Sequence, residues 1–201
     1  MSVTTIGIDL ANNVFHIHSV AAEGRAVLLR KTSRAGFERL MAGIPGCRVG
    51  MEAGSGSHHL ARQLQAHGHE VKLMPPRYVR PYVKTNKHDA ADAEACCEAV
   101  QRPGMRFVPI KTVEQQAVLM LHKVRDHLVC QRTGTINALR GHMAEFGITA
   151  VTQRRGLGEL IELVEDETDS GLPNGARDAL LLLVEQIRAA DKQIKDLDRR
   201  I

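Results

Sequence analysis

Four carboxylates carry most of the chemistry this chain can offer: Asp9, Glu52, Asp89 and Asp92. Asp9 closes an apolar run, TTIGIDL, in which Ile6, Ile8 and Leu10 alternate with Gly7 and Asp9. That alternation reads as a strand with one buried face. Glu52 closes a second such stretch, RVGME. Asp89 and Asp92 stand three apart in KTNKHDAADAEA, a helical pattern, so they share one helix face. In an open α/β sheet, ligands gather beyond the strand ends. Neighbouring first and fourth strands would set Asp9 beside Glu52, and a helix starting near His88 would carry Asp89 and Asp92 to the same spot. Like charges that close raise one another's pKa unless a cation compensates. Mg²⁺ takes hard oxygen ligands and keeps several waters. Two such ions about 3.5–4 Å apart clamp the attacking and leaving oxygens of a phosphoryl displacement. Each acid also has an ordinary reading alone: Asp9 as a turn former, Asp89 as an acid favoured by the helix dipole, Asp92 as a solvated surface group. Their joint placement is what favours a shared site.

Cations precede the helical pair. Between Glu70 and Asp89 lie Lys72, Arg77, Arg80, Lys84 and Lys87 with no acid among them, and the chain's two tyrosines, Tyr78 and Tyr82, are interleaved. Cations for phosphates and rings for bases make a nucleic-acid surface; the plainer alternative is a solvated basic helix face. A formal charge of +4 and a pI near 9.0 lean mildly towards polyanionic partners.

The elements that must position these groups follow from the hydrophobic pattern. Residues 4–10, 14–20 and 25–32 alternate as strands with short joints, an antiparallel meander. A short helix over 34–43, a strand over 48–52, a helix ending at Gly68, a strand over 70–74 and helical pattern over 88–101 follow. The order β-β-β-α-β-α-β-α predicts an α/β domain over 1–105, a mixed sheet with helices on its faces. After Pro103 and Pro109 the pattern becomes helical, so 106–201 reads as a helical extension. Gly134 and Gly141 interrupt it in this reading. Leu180, Leu183, Ile187, Ala190, Ile194, Leu197 and Ile201 step by threes and fours, an a/d seam that predicts a coiled coil or an antiparallel helix hairpin over 173–201. The seam still runs at Ile201, as expected of a piece of a longer protein. Cys47, Cys96, Cys97 and Cys130 show no zinc spacing and a poor disulfide framework. With no signal-like start and no long apolar stretch, the expectation is a cytoplasmic protein away from membranes.

The stretches IGIDLANNVFHIHSV and VGMEAGSGSHHLARQLQAHGHEVKLMPPRYVRPYVKTNKHDAADAEA, with the helical tail, resemble the DEDD transposases of the insertion-sequence-110 class. These are bridge-RNA-guided recombinases with a RuvC- and ribonuclease-H-like N-terminal domain. The likeness runs over residues 4 to about 146 and less specifically through the tail. It implies a ribonuclease-H/RuvC-like mixed sheet with flanking helices followed by a coiled-coil arm. It implies that Asp9, Glu52, Asp89 and Asp92 bind Mg²⁺, with Mn²⁺ as an alternative. It also implies DNA recombination guided by a structured RNA, and pairing between copies through the arm. The family's nucleophilic serine belongs to a further C-terminal domain that these residues do not include, so Ser55 and Ser57 are assigned to shaping the turn after Glu52. GIDLANN also faintly resembles a sugar-kinase phosphate loop, but no second Gly-rich loop accompanies it. A metal-dependent 3′–5′ exonuclease, or a non-catalytic nucleic-acid-binding and dimerising accessory protein, are the alternatives.

Overall fold

The computed structural model describes residues 3–10, 14–84, 89–150, 154–168 and 171–201, without the side chains of Arg154 and Arg155. Lys87 and the helix start expected at His88 lie outside the described residues. The chain forms two compact units, Met1–Thr112 and Val113–Ile201.

The first unit is a five-stranded mixed sheet. β1 (Thr5–Leu10), β2 (Val14–Val20) and β3 (Ala26–Ser33) form the antiparallel meander that their alternation predicts. β4 (Arg48–Glu52) lies parallel to β1 on its other side, and β5 (Glu70–Met74) parallel to β4. The order β3-β2-β1-β4-β5 is consistent with a ribonuclease-H-like sheet. Side-chain alternation assigns the two faces. Ile6 and Ile8 of β1, Phe15 and Ile17 of β2, Val49 and Met51 of β4 and Leu73 of β5 form the main core. α1 (Arg34–Ala42) adds Phe37 and Met41 to it, and α2 (Ser57–Ala66) adds Leu60 and Leu64. Phe15 and Phe37 stack with ring centres 4.7 Å apart. The Ser33 side chain accepts the Gly36 N–H and so starts α1. Ser57, fully buried, donates to the Gly54 carbonyl at 2.8 Å, the turn-shaping role expected of it.

The opposite face carries α4 (Asp89–Ala99), and glycines make its seat. Gly7 and Gly50 are paired across β1 and β4. A Cβ on Gly7 would lie 2.1 Å from the Ala93 carbonyl oxygen and 2.3 Å from the Cys97 nitrogen; one on Gly50 would lie 2.9 Å from the Cys96 carbonyl oxygen. Helix backbone therefore rests directly on strand backbone. The sequence of α4, DAADAEACCEA, matches this: only alanine and cysteine face the sheet, and Ala93, Ala95, Cys96, Cys97 and Ala99 are buried. Burial also holds the Cys96 thiol up and pushes the Cys97 thiol up to about 12, so both pack as small apolar groups.

Two short helical pieces follow β5: α3 (Pro76–Val79) and a 3₁₀ turn over Arg80–Tyr82. Pro75-Pro76 reads in the sequence only as a strand breaker. Proline also fits the first turn of a helix, whose N–H groups lack intrahelical partners, and Pro76 occupies that place. Residues 106–112, placed by composition with the helical part, run along the sheet instead. The Val108 N–H donates to the Leu73 carbonyl at 2.8 Å, and the Lys111 N–H to His58 Nδ1 at 3.2 Å.

The second unit holds α5 (Val113–Ala144), α6 (Arg154–Glu165) and α7 (Asn174–Asp198). α5 runs unbroken through Gly134 and Gly141, where interruptions were expected. An added Cβ would meet nothing within 4 Å at either glycine; they cost helix propensity but create no kink. α7 lies antiparallel to α5: the ion pairs Arg125–Asp198 and Arg132–Asp191 step forward along α5 as they step back along α7. Leu180, Val184 and Ile187 bury against Leu139 and Met143 of α5 and Leu160 and Val164 of α6. From Leu180 to Ile194 the heptad seam is thus covered inside its own unit, the hairpin alternative. Arg177, itself buried, donates to the Leu163 and Val164 carbonyls at 2.9 Å each, which satisfies the last turn of α6. Among the described residues no helix is long and apolar enough to cross a membrane.

Candidate metal centre

Three of the four sequence-selected acids meet. One carboxylate oxygen each from Asp9, Asp89 and Asp92 lies within 4.8 Å of the others. The seat of α4 explains how. Residues four apart on a helix lie one above another. The row Asp89-Ala93-Cys97 therefore runs above β1, with Ala93 and Cys97 on Gly7, while the row Asp92-Cys96-Val100 runs above β4, with Cys96 and Val100 on Gly50. The first turn of α4 overhangs the strand end where Asp9 stands. Asp89 and Asp92 straddle that carboxylate because the helix rides on bare backbone.

Glu52 is not part of this cluster. It follows Met51, the register partner of Ile8, so it stands next to Asp9 across the β1–β4 pair. By alternation from Gly50 it belongs to the face that α4 covers. The strand adjacency expected from the sequence is present, whereas a four-way contact is not.

The electrostatics are those of crowded anions. Burial, then the charges of Asp92 and Asp89, raise the Asp9 carboxyl above its ordinary range, against the lowering pull of His16 and of a Leu10 backbone hydrogen bond. His16 is the residue that sequence reasoning missed. It pairs with Asp9 across the β1–β2 hairpin, and its Nε2 lies 3.5 Å from Asp89 Oδ2. That nitrogen makes no hydrogen bond among the described residues. The alternation in VFHIHSV puts His16 on the polar face, and hairpin register would have placed it opposite Asp9. Three hard, anionic oxygen donors, two half-buried and one with an exposed side chain, suit a divalent cation that keeps water or substrate in its remaining positions.

The sequence-selected cations divide into two groups. Lys84 lies 3.1 Å from Glu94 and 3.0 Å from Glu98 of α4, and Lys72 lies 3.2 Å from Glu70. Their charge is partly spent. Arg77 lies 4.8 Å over the Tyr78 ring and donates to its hydroxyl at 3.2 Å, and neither it nor Arg80 forms an ion pair among the described residues. Tyr82 is half-buried against a small apolar cluster that includes Met74, Val79 and Ala95.

Comparison with known proteins gives the family. The sequence model of DEDD transposases of the IS110 type, described as "Transposase", matches residues 6–148. The chain belongs to this family. It is 41% identical over 202 residues to the "Probable family 20 transposase" of Pseudomonas aeruginosa, covering 100% of this chain and 60% of that protein. It is 40% identical over 200 residues to the transposase for insertion sequence element IS1328 of Yersinia enterocolitica, covering 100% and 59%. Against the transposase for insertion sequence element IS1111A of Coxiella burnetii the figures are 36% over 200 residues, 99% and 55%. The chain spans between 51% and 60% of the curated relatives it matches. The matched span of this IS110-type chain takes in Asp9, Glu52, Asp89 and Asp92 and extends through α5.

Proposed function

We propose that this chain is the metal-binding, RuvC-like part of an IS110-type DNA transposase. The convergence of Asp9, Asp89 and Asp92 within 4.8 Å carries this reading. Mg²⁺, or Mn²⁺ in its place, is the ion that a set of carboxylate oxygens selects. Bound there, it supplies Lewis-acid stabilisation of charge on a phosphoryl group. Asp9 from the sheet and Asp89 and Asp92 from α4 would hold it, with Glu52 beside Asp9 on the neighbouring strand. His16 flanks the Asp89 side of the cluster, its Nε2 3.5 Å from Asp89 Oδ2. DNA is the substrate in this reading, and guidance by a structured RNA rests on the family resemblance. Strand exchange is assigned to the longer protein whose length the relatives display. Pairing between copies belongs to the same reading, but the α7 seam is covered by α5. The surface left for pairing is the exposed stripe of Val113, Ala117, Met120 and Val124, spaced on one side of α5.

Metal titration tests the centre. Mn²⁺ added to the chelated chain raises the first unit's melting temperature, because a ligand at a hundred times its Kd stabilises by about 2.7 kcal/mol. Asp9→Asn and Asp92→Asn abolish that rise while the chain stays folded by circular dichroism. A parent chain whose melt ignores Mn²⁺ and Mg²⁺, or variants that respond as the parent does, would remove the metal centre.

A further inference from the structure

One groove in the first unit gathers what is needed to hold a single unstacked base. It encloses about 590 Å³ and is lined by Tyr78, Pro81, Tyr82, Arg102, Met105 and Arg106, a size suited to a small organic ligand. Its walls come from α3, the 3₁₀ turn and the turn after α4. Both tyrosines of the chain stand in it, each beside a guanidinium: Arg77 over Tyr78 at 4.8 Å and Arg102 over Tyr82 at 5.7 Å. Tyr82 is a wall of the groove, half-buried against the small apolar cluster that Met74, Val79 and the α4 residues Ala95 and Ala99 belong to.

Charge separates the roles of the arginines. Arg102 is held by Glu98 at 2.5 Å. Arg77 and Arg106 form no ion pair among the described residues, and no acid lines the groove. A small inorganic anion would leave two aromatic rings unused, and an apolar ligand would make no use of the Arg106 guanidinium, which has no ion pair among the described residues. A nucleotide satisfies both, with a flat ring for the tyrosines and a phosphate for the arginines. A duplex keeps its bases stacked inside, so the base must come from a single-stranded segment.

We propose that this groove takes one unstacked nucleobase of a single-stranded nucleic acid, its ring on Tyr78 or Tyr82 and its neighbouring phosphates on Arg77 and Arg106. The proposal rests on the nucleic-acid part of the reading above and not on the metal centre.

The chain has no tryptophan and only these two tyrosines, so its tyrosine emission reports on this groove alone. The full chain is titrated with end-labelled oligo-dT, oligo-U and a blunt DNA duplex, following label anisotropy and tyrosine emission together, with free tyrosine correcting for absorbance. A single strand quenches the emission saturably, with the dissociation constant that anisotropy gives; the tighter of the DNA and RNA arms names the strand. Tyr78→Ala weakens binding by about 5- to 150-fold, and Tyr78→Phe, which keeps the ring, binds as the parent does. Arg106→Ala, at an exposed position, lowers the log–log salt slope by about 0.7. Strand binding with unchanged emission, equal quenching by the duplex, neutrality of both Tyr78→Ala and Tyr82→Ala, or no binding of either strand would each overturn the proposal. None of these outcomes alters the Mn²⁺-dependent melt, so failure of the groove and failure of the metal centre are told apart.

Discussion

Gly7→Ala is the sharpest perturbation of the site, although position 7 bears no functional group. The new methyl carbon would lie 2.1 Å from the Ala93 carbonyl oxygen, whereas ordinary contact begins at 3.4 Å. All three nearest atoms belong to helix backbone, so no side chain can rotate away, and α4 must rise by more than an ångström. Forcing a carbon into a packed contact costs about 1–3 kcal/mol. The loss of glycine's freedom in the unfolded chain returns only about 0.4–1 kcal/mol. At about 4–8 °C per kcal/mol for a domain near 100 residues, the first unit melts several degrees lower. The displacement also carries Asp89 and Asp92 away from Asp9. Mn²⁺ affinity, read by calorimetry on the folded variant, falls by about 10- to 100-fold, the scale seen when groups that orient metal ligands are altered. Gly134→Ala is the control: its Cβ meets nothing within 4 Å, and it sits inside α5. It stabilises its unit by about 1 kcal/mol and leaves metal affinity alone. A Gly7→Ala chain with the parent's melting temperature and the parent's Mn²⁺ isotherm would refute the claim that backbone contact positions the acids.

Two further expectations concern the second unit and pH. Ile187→Asp puts a carboxylate into the contact between α7 and α5; with Ile truncations alone costing about 2–5 kcal/mol, the helical signal of the second unit melts well below the parent's, and an unshifted melt would mean the hairpin does not bury this face. For Asp9, a folded-state pKa raised above its ordinary 3.8 means that its contribution to stability is complete below that value and lost as pH rises through the folded value. The stability of the chelated parent relative to Asp9→Asn therefore declines as pH climbs from about 4, while Mn²⁺ affinity rises over the same interval; denaturant titrations showing a pH-independent difference would exclude the crowded, half-buried carboxylate.

Much of this arrangement can be read from residues alone because its signals are local. Alternation in TTIGIDL and VFHIHSV gives the strands and their faces, and Gly24, Gly43 and Gly68 mark ends of elements. Asp9, Asp89 and Asp92 are legible for the same reason: a strand end and a helix's first turn are identifiable positions. What escaped depends on partners distant in sequence. His16 becomes part of the site only through the β1–β2 register. Glu52 stands on the right strand and face, yet membership of a cluster is set by side-chain reach, which strand pairing does not encode. The α7 seam shows which side of the helix must be covered but not by what, and α5 covers it within the same chain. Pro75-Pro76 and the two glycines of α5 were read by their commonest roles, and at each place context selected the less common one.

Helix α4 touches both the acids and the tyrosines. Its first turn bears Asp89 and Asp92, and its later residues Ala95 and Ala99 pack with Tyr82. At about 1.5 Å of rise per residue, Asp92 and Ala99 stand roughly 10 Å apart along one rigid rod. With the proposed cation and groove both in place, that rod would work as a gauge. A strand threaded past this protein would meet the cation and the ring wall at an interval cut into the scaffold itself, and lengthening or shortening α4 by a turn would change which linkage along the polymer is presented for reaction.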